Sequence, residues 1–458
     1  MDNENLILMT DSYKLSHYRQ YPPGSQKVYS YMEARKNAEF PHTVFFGLQY
    51  YIKKYLCGTP VTKEKIDAAE LLVNQHMGPG LFNKQGWLRL LEKHNGALPI
   101  EIKAVPEGTV VPKDNVLLTI ENTDPEFPWL TSYLETLLLK IWYPSTVATV
   151  SYNIRKVIEM YLEKTGDPSL IGYKLHDFGY RGVSSEESAG LGGLAHLISF
   201  NGTDTLAALT TGINYYDSGV IGHSIPASEH STITSWGLSG ELSAYDNMLK
   251  SYPTGLVACV SDSYDIKRAI QDYWGTALKV TIMGRDGTLI VRPDSGEPVQ
   301  SAISTITWLD EKFGSTVNSK GYKVLDPHIR VIQGDGCNLG SIVNILTAME
   351  EKKFSADNIA FGMGGGLLQK VDRDTQSFAF KCSSISGTFG TRDVFKQPAT
   401  DLSKKSKRGR LSLVRRSDGV LTTTSESPTN DELKTVYIDG DFIGITSFEQ
   451  IRNRARNG

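Results

Sequence analysis

Between residues 173 and 366 the chain returns to one pattern, a short apolar run that ends in Asp, Arg or Gly. The tips are His176-Asp177-Phe178-Gly179, Thr203-Asp204, Ser261-Asp262-Ser263-Tyr264-Asp265, Arg292-Pro293-Asp294-Ser295-Gly296, Gly334-Asp335-Gly336 and Gly362-Met363-Gly364-Gly365-Gly366. Carboxylates suit Mg²⁺ and ribose hydroxyls, arginine suits phosphate oxygens, and glycine lets backbone N–H groups approach a phosphate closely. Together they describe a site for a phosphorylated sugar and a metal ion. A strand presents such groups at its carboxyl end, where α/β barrels and open α/β sheets place their active sites. Several strands sharing one chemical vocabulary imply a single convergent site.

Each motif also has a plainer reading. The glycines at 362–366 follow an apolar run and precede Leu367-Leu368, so they can aim backbone N–H groups at a phosphate; the alternative is a tight turn, which needs fewer glycines. They form neither a Walker A loop nor a dinucleotide fingerprint. Gly190-Leu191-Gly192-Gly193-Leu194-Ala195 fits the looser dinucleotide pattern, but a polar run precedes it where a strand is required. Arg292 and Asp294, two apart, leave a strand end on the same side, one for phosphate and one for ribose or metal, or else form an ion pair in a turn. Asp262 and Asp265 are either helix caps or ligands of a hydrated Mg²⁺. In Glu229-His230 the carboxylate could charge and orient the imidazole for acid, phosphate-binding or phosphoryl-acceptor work, or the pair could open a helix capped by Ser228 or Ser231. No Gly-x-Ser-x-Gly elbow supports a hydrolase triad. The basic residues from Lys404 to Arg410 suit a nucleic-acid patch, a solvated loop or a pyrophosphate clamp.

The elements that must hold these residues are legible in outline. Leu130, Leu134, Leu137, Leu138 and Ile141 recur at helical spacing until Pro144 stops the run, and Val147, Val150, Ile154, Val157, Ile158 and Tyr161 begin another helix. From Tyr173 to about Lys370 the order is strand, polar tip, helix, at the scale of βα units. This predicts an α/β protein with an irregular α/β barrel. Composition shifts again after Lys381, and strand-like runs follow near residues 410–414 and 435–438. The expected domains are 1–165, an N-terminal α/β domain; 166–384, the barrel; and 385–458, a C-terminal segment that returns to the first.

A chain of 458 residues with 40% hydrophobic and 22% charged residues can bury a large core. A net charge of −3 gives no general pull toward nucleic acid or anionic lipid, so neither is an expected partner. Cys57, Cys259, Cys337 and Cys382 are too scattered for a disulfide framework or a C-x-x-C zinc site. The first residues lack the basic region and apolar length of a signal peptide, and no run approaches the roughly 20 apolar residues of a membrane span. A reducing, cytoplasmic setting fits.

From residue 8 to the end, Thr10-Asp11-Ser12-Tyr13-Lys14, residues 174–185, 226–232, 260–266 and 292–296, Gly334-Asp335-Gly336 and residues 361–370 resemble the nicotinamide phosphoribosyltransferases. The resemblance implies a type II phosphoribosyltransferase with an irregular barrel and an α/β domain built from both chain ends. It also implies a homodimer with active sites shared between subunits. The implied reaction joins nicotinamide to phosphoribosyl pyrophosphate with Mg²⁺, and couples ATP hydrolysis through a phosphohistidine. Phe178 and, from the other subunit, Tyr13 resemble the two aromatic walls of the nicotinamide slot, and Asp204 the acceptor for the carboxamide. Arg181, Arg292 and Asp294 resemble the groups facing the sugar and its phosphates, with Asp265 and Asp294 near the metal. Asp11, Ser224, Ser261, Gly334, Asp335, Gly364 and Gly365 are assigned to the phosphoribosyl site. Arg35, Arg373, Lys381, Lys396 and Lys404 match a phosphate clamp that crosses the dimer, and His230, supported by Glu229, matches the phosphorylated histidine. The competing readings are a nicotinate phosphoribosyltransferase and a non-catalytic phosphosugar-binding protein.

Overall fold

The computed structural model describes residues 4–399 and 405–457. The chain forms two compact units. One contains residues 150–211 and 219–371; the other is drawn from the segments up to Thr149 and from Asp372 onward, with residues 212–218.

The centre of the first unit is a parallel sheet whose strands lie in the order Gly202–Thr203, Leu175–Asp177, Ile359–Met363, Ile329–Gln333, Asp286–Arg292, Thr254–Val260. Val257, Ala258, Cys259 and Val260 are all buried, the continuous apolar run of a parallel strand covered on both faces. Helices alternate with the strands, among them Glu186–His196, Glu241–Ser251, Pro298–Phe313 and Leu339–Glu351. Their starts are set by local chemistry: Ser185 and Asn338 cap with side-chain oxygens, and Pro298, which has no N–H to satisfy, stands at a first position behind Glu297.

The sheet closes into a barrel without a further regular strand. His223 bridges to Gly202 at one edge and Ala227 bridges to Ala258 at the other. The His223 N–H donates to Asn201 O at 2.8 Å, and the Ser228 N–H to Ala258 O at 3.0 Å. Isolated bridges thus replace a strand, which is the irregularity expected of this barrel. In register, Val260 stands opposite Arg292, Val291 opposite Val331, Gln333 opposite Phe361, and Asp177 opposite both Met363 and Thr203. All six polar tips therefore leave the same end of one sheet.

Lys174 fixes the other end of the strand Leu175–Asp177. It is buried, and its ammonium donates to the carbonyls of Ala356, Asp357 and Ile359 at 3.0, 3.0 and 2.9 Å. Burial pushes its pKa down to about 8. The glycines 190, 192 and 193 lie inside the helix Glu186–His196, away from any strand-to-helix turn. A Cβ on Gly193 would come within 2.8 Å of the Ala208 Cβ, so close packing explains it.

The second unit carries an antiparallel sheet in the order Gly390–Asp393, Phe378–Gly387, Ser25–Ala34, Asn115–Asn122, Ile100–Ala104, Lys434–Ile438, Asp441–Phe442. Strands from both ends of the chain thus pair in one sheet. One expectation is corrected: Pro144 does not end a helix but lies in the first turn of Trp142–Thr165. A missing N–H costs nothing there, because the first turn has no intrahelical acceptors for its donors. Among the described residues no helix is long and apolar enough to cross a membrane.

Lys174→Met keeps the length of the side chain but removes three hydrogen bonds to backbone carbonyls at a buried site. It is expected to destabilise the protein by about 2–4 kcal/mol, read as a lower urea midpoint.

Candidate active site

At the carboxyl end of the parallel sheet the tips build a site with a flat apolar wall and a charged wall. Asp177, fully buried, accepts the Gly179 N–H at 2.7 Å and the Thr203 hydroxyl at 3.0 Å, which fixes the turn that carries Phe178. The Phe178 N–H donates to Met363 O at 3.0 Å. The ring then lies against bare backbone. A Cβ on Gly362 would sit 1.9 Å from Phe178 Cε2, so only glycine fits beneath it. A Cβ on Gly334 would meet Phe178 Cε2 at 3.4 Å, Asp294 Oδ1 at 3.5 Å and Arg292 Cδ at 3.8 Å, so three tips converge on one point. The turn Tyr180–Gly182, which carries Arg181, meets the glycine loop where Gly182 approaches Gly365, and Gly364 lies against the Phe178 carbonyl.

On the charged wall, Asp294 Oδ2 is 3.6 Å from the Arg292 guanidinium and 3.7 Å from His230 Nδ1. Asp262 joins them: it takes a hydrogen bond from His230 Nε2 at 3.1 Å, from the Asp294 N–H at 2.8 Å and from Ser295 Oγ at 2.5 Å. Burial pushes the Asp294 carboxyl up; Arg292 and His230 pull against this, while Asp262 and Asp335 reinforce it, and the net direction is upward. Arg292 Nε is buried with no hydrogen-bond partner among the described residues. Asp204 behaves oppositely. Burial would raise its pKa, but hydrogen bonds from His176 and Ser224 and the charge of Arg292 outweigh burial and hold it below the usual carboxylate range.

The structure therefore brings Phe178, Arg181, Asp204, Ser224, His230, Arg292, Asp294, Gly334, Asp335, Gly364 and Gly365 to one end of one sheet. Other expected residues do different work. Glu229 caps the helix His230–Thr234 and accepts from Ser231, so Asp262 is the carboxylate on the imidazole. Ser261 turns inward, donating to Cys259 O and accepting from Trp274 Nε1. Asp265 caps the short helix Ile266–Arg268. In the other unit, Arg35, Arg373, Lys381 and Lys396 line a single cavity of about 290 Å³. Burial, then the charges of Arg35, Lys396 and Arg373, opposed by Glu135, hold Lys381 below the usual lysine range. Also in that unit, Asp11 bonds Thr136 and Tyr13 stands 60% exposed. Lys404 lies outside the described residues.

Residues 173–441 match the nicotinate phosphoribosyltransferase (NAPRTase) family, and residues 5–102 match the N-terminal domain of nicotinamide phosphoribosyltransferase. The chain is 50% identical to the nicotinamide phosphoribosyltransferase of Xanthomonas campestris pv. campestris, over 99% of this chain and 98% of that protein. It is 33% identical to that of Acinetobacter baylyi, over 98% and 97%. The chain belongs to the nicotinamide phosphoribosyltransferase family. It is a phosphoribosyltransferase enzyme. Its fold is similar to those of human nicotinic acid phosphoribosyltransferase (TM-score 0.62, 14% identity, 98% of this chain and 93% of that one) and a nicotinate-nucleotide pyrophosphorylase from Pyrococcus furiosus (TM-score 0.62, 15% identity, 100% and 96%).

Two side chains of this phosphoribosyltransferase touch expected site residues in ways the sequence does not mark. Asp262 reads as a cap or metal ligand because its partner His230 is remote along the chain. His176 reads only as part of a tip, because the strand that brings Asp204 to it pairs non-locally. Gly362→Ala should displace the Phe178 ring and lower phosphoribosyl transfer about a hundredfold, since misplacement by about 1 Å has effects of that order. Gly219→Ala, whose Cβ meets nothing within 4 Å, should leave the rate unchanged.

Proposed function

We propose that this enzyme transfers the phosphoribosyl group of phosphoribosyl pyrophosphate to nicotinamide, giving nicotinamide mononucleotide and pyrophosphate in NAD salvage. The observation that carries the reading is Asp204, a carboxylate held below its ordinary pKa and joined to the Phe178 wall through His176. An ionised carboxylate attracts the NH₂ of a carboxamide and repels the carboxylate of nicotinate by an amount that grows as water is excluded. The nicotinate reading is therefore the weaker one.

The chemistry asks little proton transfer of the protein. The pyridine nitrogen carries a free lone pair; as it bonds to the ribose C1′, the C1′–O bond breaks and its electrons leave with pyrophosphate. What is needed is a negative wall for the cationic ribose and positive partners for the leaving group. Asp294 and Asp335 suit the ribose, and the unpaired Arg292 Nε suits a phosphate oxygen. A bound Mg²⁺ would neutralise the departing diphosphate. Among the described residues no group of three or more His, Cys, Asp or Glu side chains forms a cage for a metal. Asp294, raised by burial and by the nearby carboxylates Asp262 and Asp335, suits the commoner Mg²⁺ arrangement of one or two carboxylates completed by water and substrate phosphates. Asp265 is committed to its cap and has the weaker claim.

In this reading a second copy of the chain completes the site, with Tyr13 as the opposing aromatic wall and Arg35, Arg373, Lys381 and Lys396 as the pyrophosphate clamp. Five cations line that cavity, these four and Lys405, against the two carboxylates Glu33 and Glu135, an excess of positive charge that favours a polyanion. ATP would phosphorylate His230, whose ring is oriented by Asp262 on Nε2 and faced by Asp294 on Nδ1.

Incubating the protein with nicotinamide, phosphoribosyl pyrophosphate and Mg²⁺ is expected to yield nicotinamide mononucleotide and pyrophosphate in equal amounts; no mononucleotide would refute the reading. In a mixture of nicotinamide and nicotinate, Asp204→Ser should narrow the preference for nicotinamide about tenfold or more. His230→Ala should abolish the stimulation by ATP while slower ATP-independent synthesis persists, and full stimulation in that variant would exclude the phosphohistidine.

A further inference from the structure

The tip His176-Asp177-Phe178-Gly179 contains one side chain that the reaction above does not use. We infer that His176 is a positioning residue that sets the preference for a carboxamide over a carboxylate by locking Asp204 in place. The inference rests on the proposed nicotinamide reading and identifies what makes that site selective.

Asp204 Oδ1 accepts two hydrogen bonds, one from His176 Nε2 at 2.8 Å and one from Ser224 Oγ. An ionised carboxylate can only accept, so His176 must carry its proton on Nε2. With Oδ1 held from two sides, the carboxylate cannot rotate, and Oδ2, which has no hydrogen bond from the described residues, is left for a ligand N–H. The main chain is fixed as well, since the Asp204 N–H donates to Asp177 O at 3.0 Å.

The sheet makes this reach possible. His176 stands opposite Gly202 on the neighbouring strand, and a Cβ on Gly202 would come within 2.7 Å of the imidazole Nδ1. Glycine at that point lets the imidazole lie across the neighbouring strand to meet Asp204. The same ring leans on Phe178, with centroids 5.0 Å apart and planes at 48°. His176 thus couples the wall that holds a flat ring to the group that reads its substituent. Without the N–H donor, Asp204 could turn and would take up a proton more readily, and a protonated carboxyl can donate to a carboxylate. Selectivity, rather than folding, is what His176 then controls.

The test is a competition assay on the full-length protein with equal nicotinamide and nicotinate, phosphoribosyl pyrophosphate and Mg²⁺. The ratio of the two mononucleotides does not depend on how much of a variant is folded. His176→Phe keeps an aromatic ring against Phe178 but has no donor; its nicotinamide-to-nicotinate product ratio should fall about tenfold or more. His176→Gln places an N–H near the position of Nε2 and should hold the ratio within about threefold of the parent. An unchanged ratio in His176→Phe, or an equal loss in both variants, would overturn the inference while leaving the proposed reaction standing. A parent enzyme that makes no nicotinamide mononucleotide would instead overturn the reaction itself.

Discussion

Asp262, Asp294 and Asp335 follow three strands that are neighbours in one parallel sheet, so the strand spacing of about 4.8 Å forces like charges together. The surroundings offset this only in part. Asp262 is held by a backbone N–H, a hydroxyl and His230, while Asp294 faces Arg292 and His230 and still sits above its ordinary pKa. Burial raises Asp294 first, and the carboxylates Asp262 and Asp335 add to it, so the two cations beside it leave its charge incompletely compensated. A cationic ribose or a hydrated divalent ion supplies what the protein withholds, and this shortage gives the charged wall its chemistry.

The apolar wall depends on the opposite device, the removal of side chains. Phe178 can lie flat only because Gly362 offers bare backbone beneath it and Gly334 leaves room beside it. One sheet end thus carries a surface for a planar ring and, two to four strands along, the field that stabilises charge developing on a sugar. The two walls meet at Gly334, where Phe178, Asp294 and Arg292 converge, and the His176–Asp204 contact adds a carboxylate on the side of the ring.

Much of this was legible in the sequence, because a strand followed by a polar tip is a local pattern. All six tips do leave the same end of one sheet, and the two helical stretches before the barrel exist, although Pro144 lies inside the second helix. What was not legible is non-local. The barrel is closed by isolated bridges at His223 and Ala227, which have no periodicity to detect. The partner of His230 could not be read from its neighbour: Glu229 is spent on a cap, and Asp262 arrives from another strand. Ser261 and Asp265 belong to a tip of the right composition, yet one hydroxyl points into the core and one carboxylate caps a helix. The cations Arg35 and Lys381 share a cavity only because their strands, from opposite ends of the chain, pair directly. Family resemblance could suggest that grouping where spacing could not.

A crystal structure of the enzyme with nicotinamide mononucleotide and Mg²⁺ bound probes the convergent site most directly. The expected result has the pyridine ring on Phe178, the carboxamide nitrogen within hydrogen-bond distance of Asp204 Oδ2, and the ribose facing Asp294. A nucleotide bound with its pyridine ring away from Phe178, or with Asp204 and Asp294 both out of reach, would contradict the account.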